Sequence, residues 1–283
     1  MRRALVLSLL AVTLVVGCKP APEGVRFPIR PKMYRTVASL SPGTTEVVAS
    51  LSYNIVLVGR TASCNYPPNV LKAPVVAQVK PDYEKLKKAN PDIVVYDASL
   101  YKDEDIAEIK KLGIDTYEFK AKTVEDFAQE VLKFGTLAGV EMDASAYADK
   151  MLQERSAAMG KLSGSTPKVA LIMPGKGGEH YIAGTKSFQA DVIRSSGGEP
   201  VGPDQDKYVP IDAEALIQLN PDMIITAGDP NTLIADPRLK SLPAIAKLKV
   251  RGIEADYATR MGFRVEKEIS LINRSIMDML GVK

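Results

Sequence analysis

A duplicated segment constrains this chain more than any other feature. Glu84 to Asp92 reads EKLKKANPD and leads into IVV, and Glu214 to Asp222 reads EALIQLNPD and leads into MII. Each copy predicts a short helix with an early glutamate that stops at Asn-Pro-Asp, because proline disfavours a helical residue before it. A β-branched, buried strand is expected to follow each helix. We therefore expect two similar halves.

One long helix separates the two copies. Asp143 to Leu162 spaces its apolar residues three and four apart in an otherwise charged segment, with its first residue as N-cap. Twenty residues span about 30 Å, the diameter of a small domain. We predict that this helix, within residues 141–165, connects an N-terminal α/β lobe at 33–140 with a C-terminal α/β lobe at 166–283.

Strands and helices alternate within each half. The predicted strands are Thr36–Leu40, Ile55–Val58, Ile93–Tyr96, Asp115–Phe119, Lys168–Met173, Met223–Ala227 and Gly252–Ala255. The longer helices are predicted at Asp103–Leu112, Thr123–Ala138, Ser187–Ser196 and Val265–Leu280, the last of which we interpret as core packing only. Such alternation implies mainly parallel sheets with helices on both faces. The expected fold class is α/β, with two doubly wound lobes joined by one long backbone helix.

The N-terminus has the organisation of an exported lipoprotein. Arg2 and Arg3 precede an apolar run of about 13 residues, which is too short to span a bilayer and predicts a signal peptide. The sequence VVGC ending at Cys18 resembles the bacterial lipoprotein processing box, which implies a signal peptide at 1–17 and a lipidated Cys18. An ordinary signal peptide with an incidental cysteine is the alternative. Residues 18–32 are proline-rich and predict an extended linker.

The charge balance gives no electrostatic reason to expect a nucleic-acid partner. The chain has 37 Lys plus Arg against 34 Asp plus Glu, and removal of Arg2 and Arg3 with the leader leaves 35 against 34. Its 283 residues, 46% of them hydrophobic, suit a globular chain of about two domains. We expect a monomer.

The chain holds few residues of the kinds that hydrolases and metal sites use. Cys64 is the only cysteine besides Cys18, so the exported body has no internal disulfide. We interpret Cys64 as buried or incidentally exposed, and a ligand to a bound metal centre is the alternative. His180 is the only histidine, and this disfavours Ser-His-Asp triads and excludes two-histidine metal sites within one chain. We expect His180 in a surface loop, and a single axial bond from His180 or a tyrosine to a macrocycle metal is the alternative. We predict no catalytic residue, no metal site and no resident cofactor.

The candidate ligand site lies where strands end and helices begin. Ser41 is a suitable N-cap and Pro42 a suitable first helical residue, so the first-turn amides of this helix are expected to face outward. Tyrosines in presumed loops at strand ends offer apolar faces for a large flat ligand, although each alone could be a packing residue. The predicted ligand-binding set is Ser41, Pro42, Gly43, Asn65, Tyr66, Asp97, Tyr181, Tyr257 and Arg260.

Several motifs together resemble the helical-backbone class of substrate-binding proteins of ABC importers, the class that delivers cobalamin, haem and ferric siderophores. In family order they are SLSP from Ser39, TE from Thr45, NYPP from Asn65, the two Glu-to-Asn-Pro-Asp segments, SF from Ser187, GG from Gly197 and LPAI from Leu242. The resemblance covers residues 34–283. It implies a non-enzymatic, extracytoplasmic protein, lipid-anchored to a membrane, that binds a metal chelate and docks on a permease dimer.

The resemblance also favours one ligand. The segment CNYPP from Cys64 is most similar to cobalamin-binding members, in which the matching tyrosine lies against the corrin, so we expect a cobalt corrinoid. Such members can carry tryptophan where this chain has Tyr257, and this chain has no tryptophan. Haem, with Tyr66 on the iron, or a ferric siderophore therefore stays open. A two-lobed enzyme related to metal chelatases is a further alternative, since a fold does not decide a function.

The role of the glutamates in the duplicated segment can be interpreted in two ways. Negative charge at a helix start is favoured by the helix dipole, so Glu84 and Glu214 could each stabilise only their own helix. That reading does not explain their matched positions in both halves. In the resembling family the corresponding glutamates meet arginines on the two permease subunits. We predict that Glu84 and Glu214 are transporter contacts.

Overall fold

The first half of the chain forms a five-stranded parallel sheet. The computed structural model describes residues 32–160 and 166–282. The sheet has the order β3-β2-β1-β4-β5, and every neighbouring pair is parallel. Its strands are β1 (Thr36–Ser39), β2 (Val56–Thr61), β3 (Val75–Ala77), β4 (Ile93–Asp97) and β5 (Asp115–Phe119). Parallel strands end on the same edge of a sheet, so the loops after them meet there.

Three α-helices lie between these strands, and a fourth follows β5. They are α1 (Pro42–Leu51), α2 (Tyr83–Ala89), α3 (Asp103–Lys111) and α4 (Val124–Ala138). α4 begins with a capping box, in which Thr123 accepts from the amide of Asp126 and the Asp126 side chain returns the bond. These bounds agree with the sequence prediction to within a residue or two, because apolar periodicity and caps are local signals.

The second half forms a six-stranded mixed sheet. Its main path has the order β11-β10-β6-β7-β9, with β8 beside β6. The strands are β6 (Lys168–Pro174), β7 (His180–Ala183), β8 (Glu199–Pro200), β9 (Tyr208–Ile211), β10 (Met223–Ala227) and β11 (Val250–Ile253). β6, β8, β10 and β11 are parallel, whereas β7 runs antiparallel to both β6 and β9. The sequence reading missed this hairpin.

α5 (Glu141–Gly160) joins the two halves. It begins two residues before the predicted N-cap Asp143, because α4 ends at Gly139 in the left-handed conformation and the chain turns directly into the next helix. Gly135 of α4 packs closely against Ala144 of α5. The predicted last residue, Leu162, lies outside the described residues. One hydrophobic core cluster runs from the first sheet through the buried face of α5 to the second sheet.

The remaining helices belong to the second half. They are α6 (Phe188–Ser195), α7 (Ala213–Leu219), α8 (Asn231–Ile234), α9 (Pro243–Ala246), α10 (Ala255–Thr259) and α11 (Val265–Leu280). The fold is therefore α/β with two lobes joined by a long helix, as predicted. We call the part from Met33 to α4 the N-lobe and the part from β6 onward the C-lobe.

The duplicated segment has the same structure in both lobes. α2 and α7 end at Asn90 and Asn220, which adopt the left-handed conformation with φ of 45° and 44°. After each helix an aspartate holds the start of a strand. Asp92 Oδ2 accepts from the amide of Thr36 at 2.8 Å, and Asp222 Oδ2 accepts from that of Lys168 at 2.8 Å. The Asn-Pro-Asp sequence thus ends a helix and caps a neighbouring strand.

The chain divides into Met1–Lys32 and a compact unit, Met33–Lys283. The predicted signal peptide and Cys18 lie outside the described residues and stay predictions. Within 32–160 and 166–282, no helix is both long enough and apolar enough to span a bilayer.

Candidate functional site

A cavity of about 710 Å³ opens between the strand ends of the N-lobe and the helix starts of the C-lobe. Ser41, Pro42, Gly43, Asp97 and Arg260 of the predicted ligand set line it. It also has lining residues that the sequence analysis did not select, among them Ser63, Ser99, Asp103, Glu118, Lys120, Lys122, Lys186, Phe188, Gln189, Asp206, Asp256 and Met261. Most of these residues lie just after a strand or at a helix start, a positional signal that could have identified them.

The junction between β1 and α1 forms part of the cavity wall. Ser41 Oγ accepts from the amide of Thr44, and Ser41 O accepts from the amide of Thr45 at 3.0 Å. The Ser41 and Thr44 hydroxyls lie 2.6 Å apart. Two first-turn amides are therefore satisfied by Ser41 itself, which leaves less of the helix start for a ligand than the sequence suggested.

A buried ion cluster lies behind this wall. Glu46 of α1 is 1% exposed and binds Arg264 through both carboxylate oxygens, with N···O distances of 3.0 and 2.6 Å. Arg260 donates to the same carboxylate at 3.1 Å and to Asn65 Oδ1 at 2.8 Å. Asn65 thus lies beside the cavity as a partner of Arg260. The apolar stripe of α11 is buried in the core, as predicted, whereas Arg264, the residue before this helix, joins the ion cluster.

Tyr66 and Tyr257 enclose Arg264. The guanidinium carbon of Arg264 lies 4.1 Å from the ring centre of Tyr66 and 4.7 Å from that of Tyr257. These are cation–π distances. The two rings come from different lobes and meet at the ion cluster rather than lining the 710 Å³ cavity.

Tyr181 lies in a separate depression. It lines a hollow with His180, Asp212 and Arg238, apart from the residues of the main cavity. The cause is the β6–β7 hairpin, in which Tyr181 pairs with Met173. The structure therefore does not bring Tyr181 together with Tyr66 and Tyr257.

His180 is buried, and our expectation of a surface loop was wrong. It is 3% exposed at the start of β7, and its Nε2 lies 3.2 Å from Asp236 Oδ2. Arg238 donates to the same carboxylate, and this hydrogen bond is the largest cause of the lowered pKa of Asp236. The buried position came from strand pairing, which a lone histidine in the sequence does not reveal.

Cys64 is buried, which is one of the two environments that we expected for it. It is 1% exposed, and its Sγ lies 2.9 Å from Thr45 Oγ1 and 3.0 Å from Thr61 Oγ1. Within the described parts of the chain, no group of three or more His, Cys, Asp or Glu side chains is arranged to hold a metal ion.

Glu84 and Glu214 are exposed in the first turns of α2 and α7. α2 follows β3 and α7 follows β9, and both strands point the same way as the main parallel strands of their sheets. Both glutamates therefore lie at the strand-end edges of their lobes, which is the side of the cavity. Neither carboxylate has an ion-pair partner among the described residues.

The molecule thus has two α/β lobes that face one cavity and are joined by a packed helix. The sequence profile described as "Periplasmic binding protein" matches residues 37–257. The chain belongs to this periplasmic binding protein family. Membership implies a binding protein that works outside the cytoplasm.

Individual proteins extend the comparison. The Bacillus subtilis (strain 168) "Uncharacterized ABC transporter substrate-binding lipoprotein YvrC" is 24% identical over 253 residues, 86% of this chain and 80% of that protein. The structure of "Periplasmic heme-binding protein BhuT in complex with two hemes" matches with a TM-score of 0.76 and 22% identity, over 87% of this chain and 99% of that one. The Vibrio cholerae "periplasmic Vitamin B12 binding protein BtuF" matches with a TM-score of 0.75 and 19% identity, over 88% and 99%. These likenesses show a shared fold.

Proposed function

We propose that this protein captures a large metal chelate, a cobalamin-type corrinoid, outside the cytoplasm and delivers it to an ABC importer. The observation that carries the proposal is the cavity between the lobes, with one exposed glutamate on each lobe at the same side. Its volume lies within the range of about 300–1,000 Å³ that ligand pockets occupy. The names of YvrC and BtuF support the transport role and the ligand class respectively.

The lining of the cavity favours a corrinoid over haem. Its described lining residues offer hydroxyls, carboxylates, lysines and the apolar faces of Phe188 and Met261, and none of them is histidine, tyrosine or cysteine. A corrinoid has its own cobalt ligands and a rim of amide groups, which hydrogen-bonding side chains suit. Haem iron is usually held by an axial His, Cys, Tyr or Met side chain, and Met261 is the one such residue in the described lining.

Haem is the second candidate, because BhuT carries it on the same fold. Its iron ligand would be Tyr66, which is half-buried beside the cavity, or Met261, which lines it. A Tyr66→Phe change would then alter the absorption spectrum of the bound haemin. Ferric siderophores remain a third ligand class for the same cavity.

Calorimetry with cyanocobalamin, haemin and a ferric siderophore tests the ligand. We expect cyanocobalamin to bind to wild type and binding to fall at least tenfold in Lys120→Trp, because Lys120 lines the cavity and tryptophan would occupy it. Lys87→Trp makes the same chemical change on the exposed face of α2 and should bind normally. Haemin binding without cyanocobalamin binding would instead identify haem as the ligand. If the purified protein chemically altered the corrinoid or the haemin, that result would support an enzymatic function.

Docking is the second part of the proposal. Exposed charges contribute little until docking removes water, after which loss of one partner costs about 2–5 kcal/mol. We expect Glu84→Arg with Glu214→Arg to abolish transport in vesicles that contain the importer, with ligand affinity unchanged. Glu141→Arg with Glu199→Arg reverses the same number of exposed charges away from the strand-end edges of the lobes and should transport normally. Transport by the first variant, or loss of its ligand binding, would contradict these roles.

The proposed function also includes a lipid anchor at Cys18. YvrC is named a lipoprotein, and Cys18 ends a sequence that resembles the lipoprotein processing box. We expect Cys18→Ala to release the protein from membranes in fractionated cells. Wild-type protein already in the soluble extracytoplasmic fraction would contradict lipidation.

A further inference from the structure

Three charged side chains from the two lobes meet behind the cavity. Glu46 belongs to the N-lobe, and Arg260 and Arg264 belong to the C-lobe. Glu46 Oε1 accepts from Arg260 and Arg264, and Glu46 Oε2 accepts from Arg264. Glu46 and Arg264 are 1% and 8% exposed. A buried bidentate pair is strongly directional, and removal of one partner leaves a buried charge uncompensated.

The two terminal nitrogens of Arg260 are engaged, mainly by this contact between the lobes. Its Nη1 donates to Glu46 and to Asn65, and its Nη2 donates to Ser63 O at 3.5 Å and pairs with Asp256 at 2.7 Å. A guanidinium has five N–H donors, four of them on its two terminal nitrogens. The four terminal donors therefore already have partners, three of them in the N-lobe. A ligand would have to compete for Arg260.

The backbones also approach each other here. A Cβ on Gly43 would collide with the carbonyl oxygen of Met261, and a Cβ on Gly262 would lie 2.8 Å from Glu46 Oε2. Glycine at both positions lets the lobes touch directly at the ion cluster. Gly43 and Met261 line the cavity as well, so this contact forms part of its wall. The contact is separate from α5, which connects the lobes covalently.

We propose that Glu46, Arg260 and Arg264 form an interlobe clamp that holds the cavity in its binding shape. Glu46 is the positioning residue, because its carboxylate binds both arginines across the cleft. Arg260, which the sequence analysis assigned to direct ligand contact, acts through the shape of the cavity. The rigidity of the two lobes therefore depends on this clamp as well as on the helical connection. This inference goes beyond the proposed function and does not depend on which ligand is bound.

Distances between spin labels on the two lobes test the clamp. Labels at Lys88→Cys on α2 and Gln218→Cys on α7 report on exposed positions that match in the duplicated segment, in the full chain with Cys18→Ala. Cys64 is buried and is expected to stay unlabelled. In Glu46→Gln we expect the distribution of distances to become at least twice as wide as in the labelled parent.

A matched control separates this effect from general destabilisation. Asp236→Asn removes a buried carboxylate that pairs with Arg238 and His180 inside the C-lobe alone. It should lower the melting temperature and leave the distance distribution unchanged. A folded Glu46→Gln protein with the parent's distribution would overturn the proposal, and so would equal broadening in Asp236→Asn.

A second variant keeps the test decisive if Glu46→Gln does not fold. Glu46→Gln with Arg264→Met removes both buried charges together, so no unpaired charge remains at the centre of the cluster. Arg260 keeps Asp256 and Asn65 as partners. This protein is expected to fold and to show the same broadening. A parent-like distribution in it would equally refute the clamp.

Discussion

Glu268 predicts an unusual dependence of stability on pH. Its side chain is 2% exposed on α11, and Oε1 has no hydrogen-bond partner among the described residues. Burial raises the pKa of this carboxyl well above its ordinary 4.5, and the nearby Arg264 offsets the shift only in part. The folded protein therefore keeps a proton on Glu268 at pH values where the unfolded chain has lost it.

The sign and size of this pH dependence follow from the linkage between proton binding and folding. A carboxyl whose pKa is raised by folding contributes its full stability below the unfolded pKa of 4.5, and this contribution is lost as pH rises towards the folded pKa. The slope within that window is about 1.4 kcal/mol per pH unit. Glu268→Gln cannot titrate, so the difference between variant and wild type isolates this one group. Any fixed effect of the buried amide shifts the difference equally at every pH.

Urea unfolding at pH 5, 6 and 7 measures this difference. We expect the stability of Glu268→Gln relative to wild type to increase by about 1.4 kcal/mol for each pH unit within the window. Glu84→Gln makes the same chemical change at an exposed position and serves as the matched control. A constant difference for Glu268→Gln would refute a raised pKa and the argument from burial.

Three further predictions concern single positions. Gly43→Ala should separate the lobes at Met261 and weaken ligand binding at least tenfold in calorimetry, because the added methyl collides with backbone; unchanged affinity would contradict the close contact. Asp222→Ala should lower the free energy of unfolding by roughly 1–3 kcal/mol in urea titration, since the Lys168 amide loses a charged acceptor. Asn220→Gly should change it by less than about 1 kcal/mol, because glycine accepts positive φ readily; a larger loss would assign the asparagine side chain a separate role.

Much of the fold could be predicted because its signals are local. The segments that end at Asn90 and Asn220 were recognised from proline and asparagine, and both asparagines adopt the predicted helix-ending position. β5 and β10 have the predicted bounds, since apolar runs bounded by turn residues indicate strands. β7 was missed because its four residues follow a glycine-rich loop and carry no alternation long enough to read.

Part of the candidate site could also be predicted, because its signals are local as well. Ser41, Pro42 and Gly43 come soon after β1 and Asp97 is the last residue of β4, and the strand-end edge of a parallel sheet brings such residues to one cavity. Tyr181 follows the same rule in the sequence but lies in an antiparallel hairpin, so it faces a different hollow. A position at the end of a strand therefore predicts a cavity residue only when the direction of that strand in the sheet is known.

By itself, the sequence determined the two similar lobes, the helix between them, the exposed glutamates and the family, because periodicity, caps and short motifs act over a few residues. Only the tertiary structure decided that Glu46 meets Arg260 and Arg264, which lie 214 and 218 residues away along the chain. It also decided that Tyr66 and Tyr257 cover an arginine and that His180 is buried. Such contacts form when the lobes pack together, and packing over that separation leaves no local pattern to read.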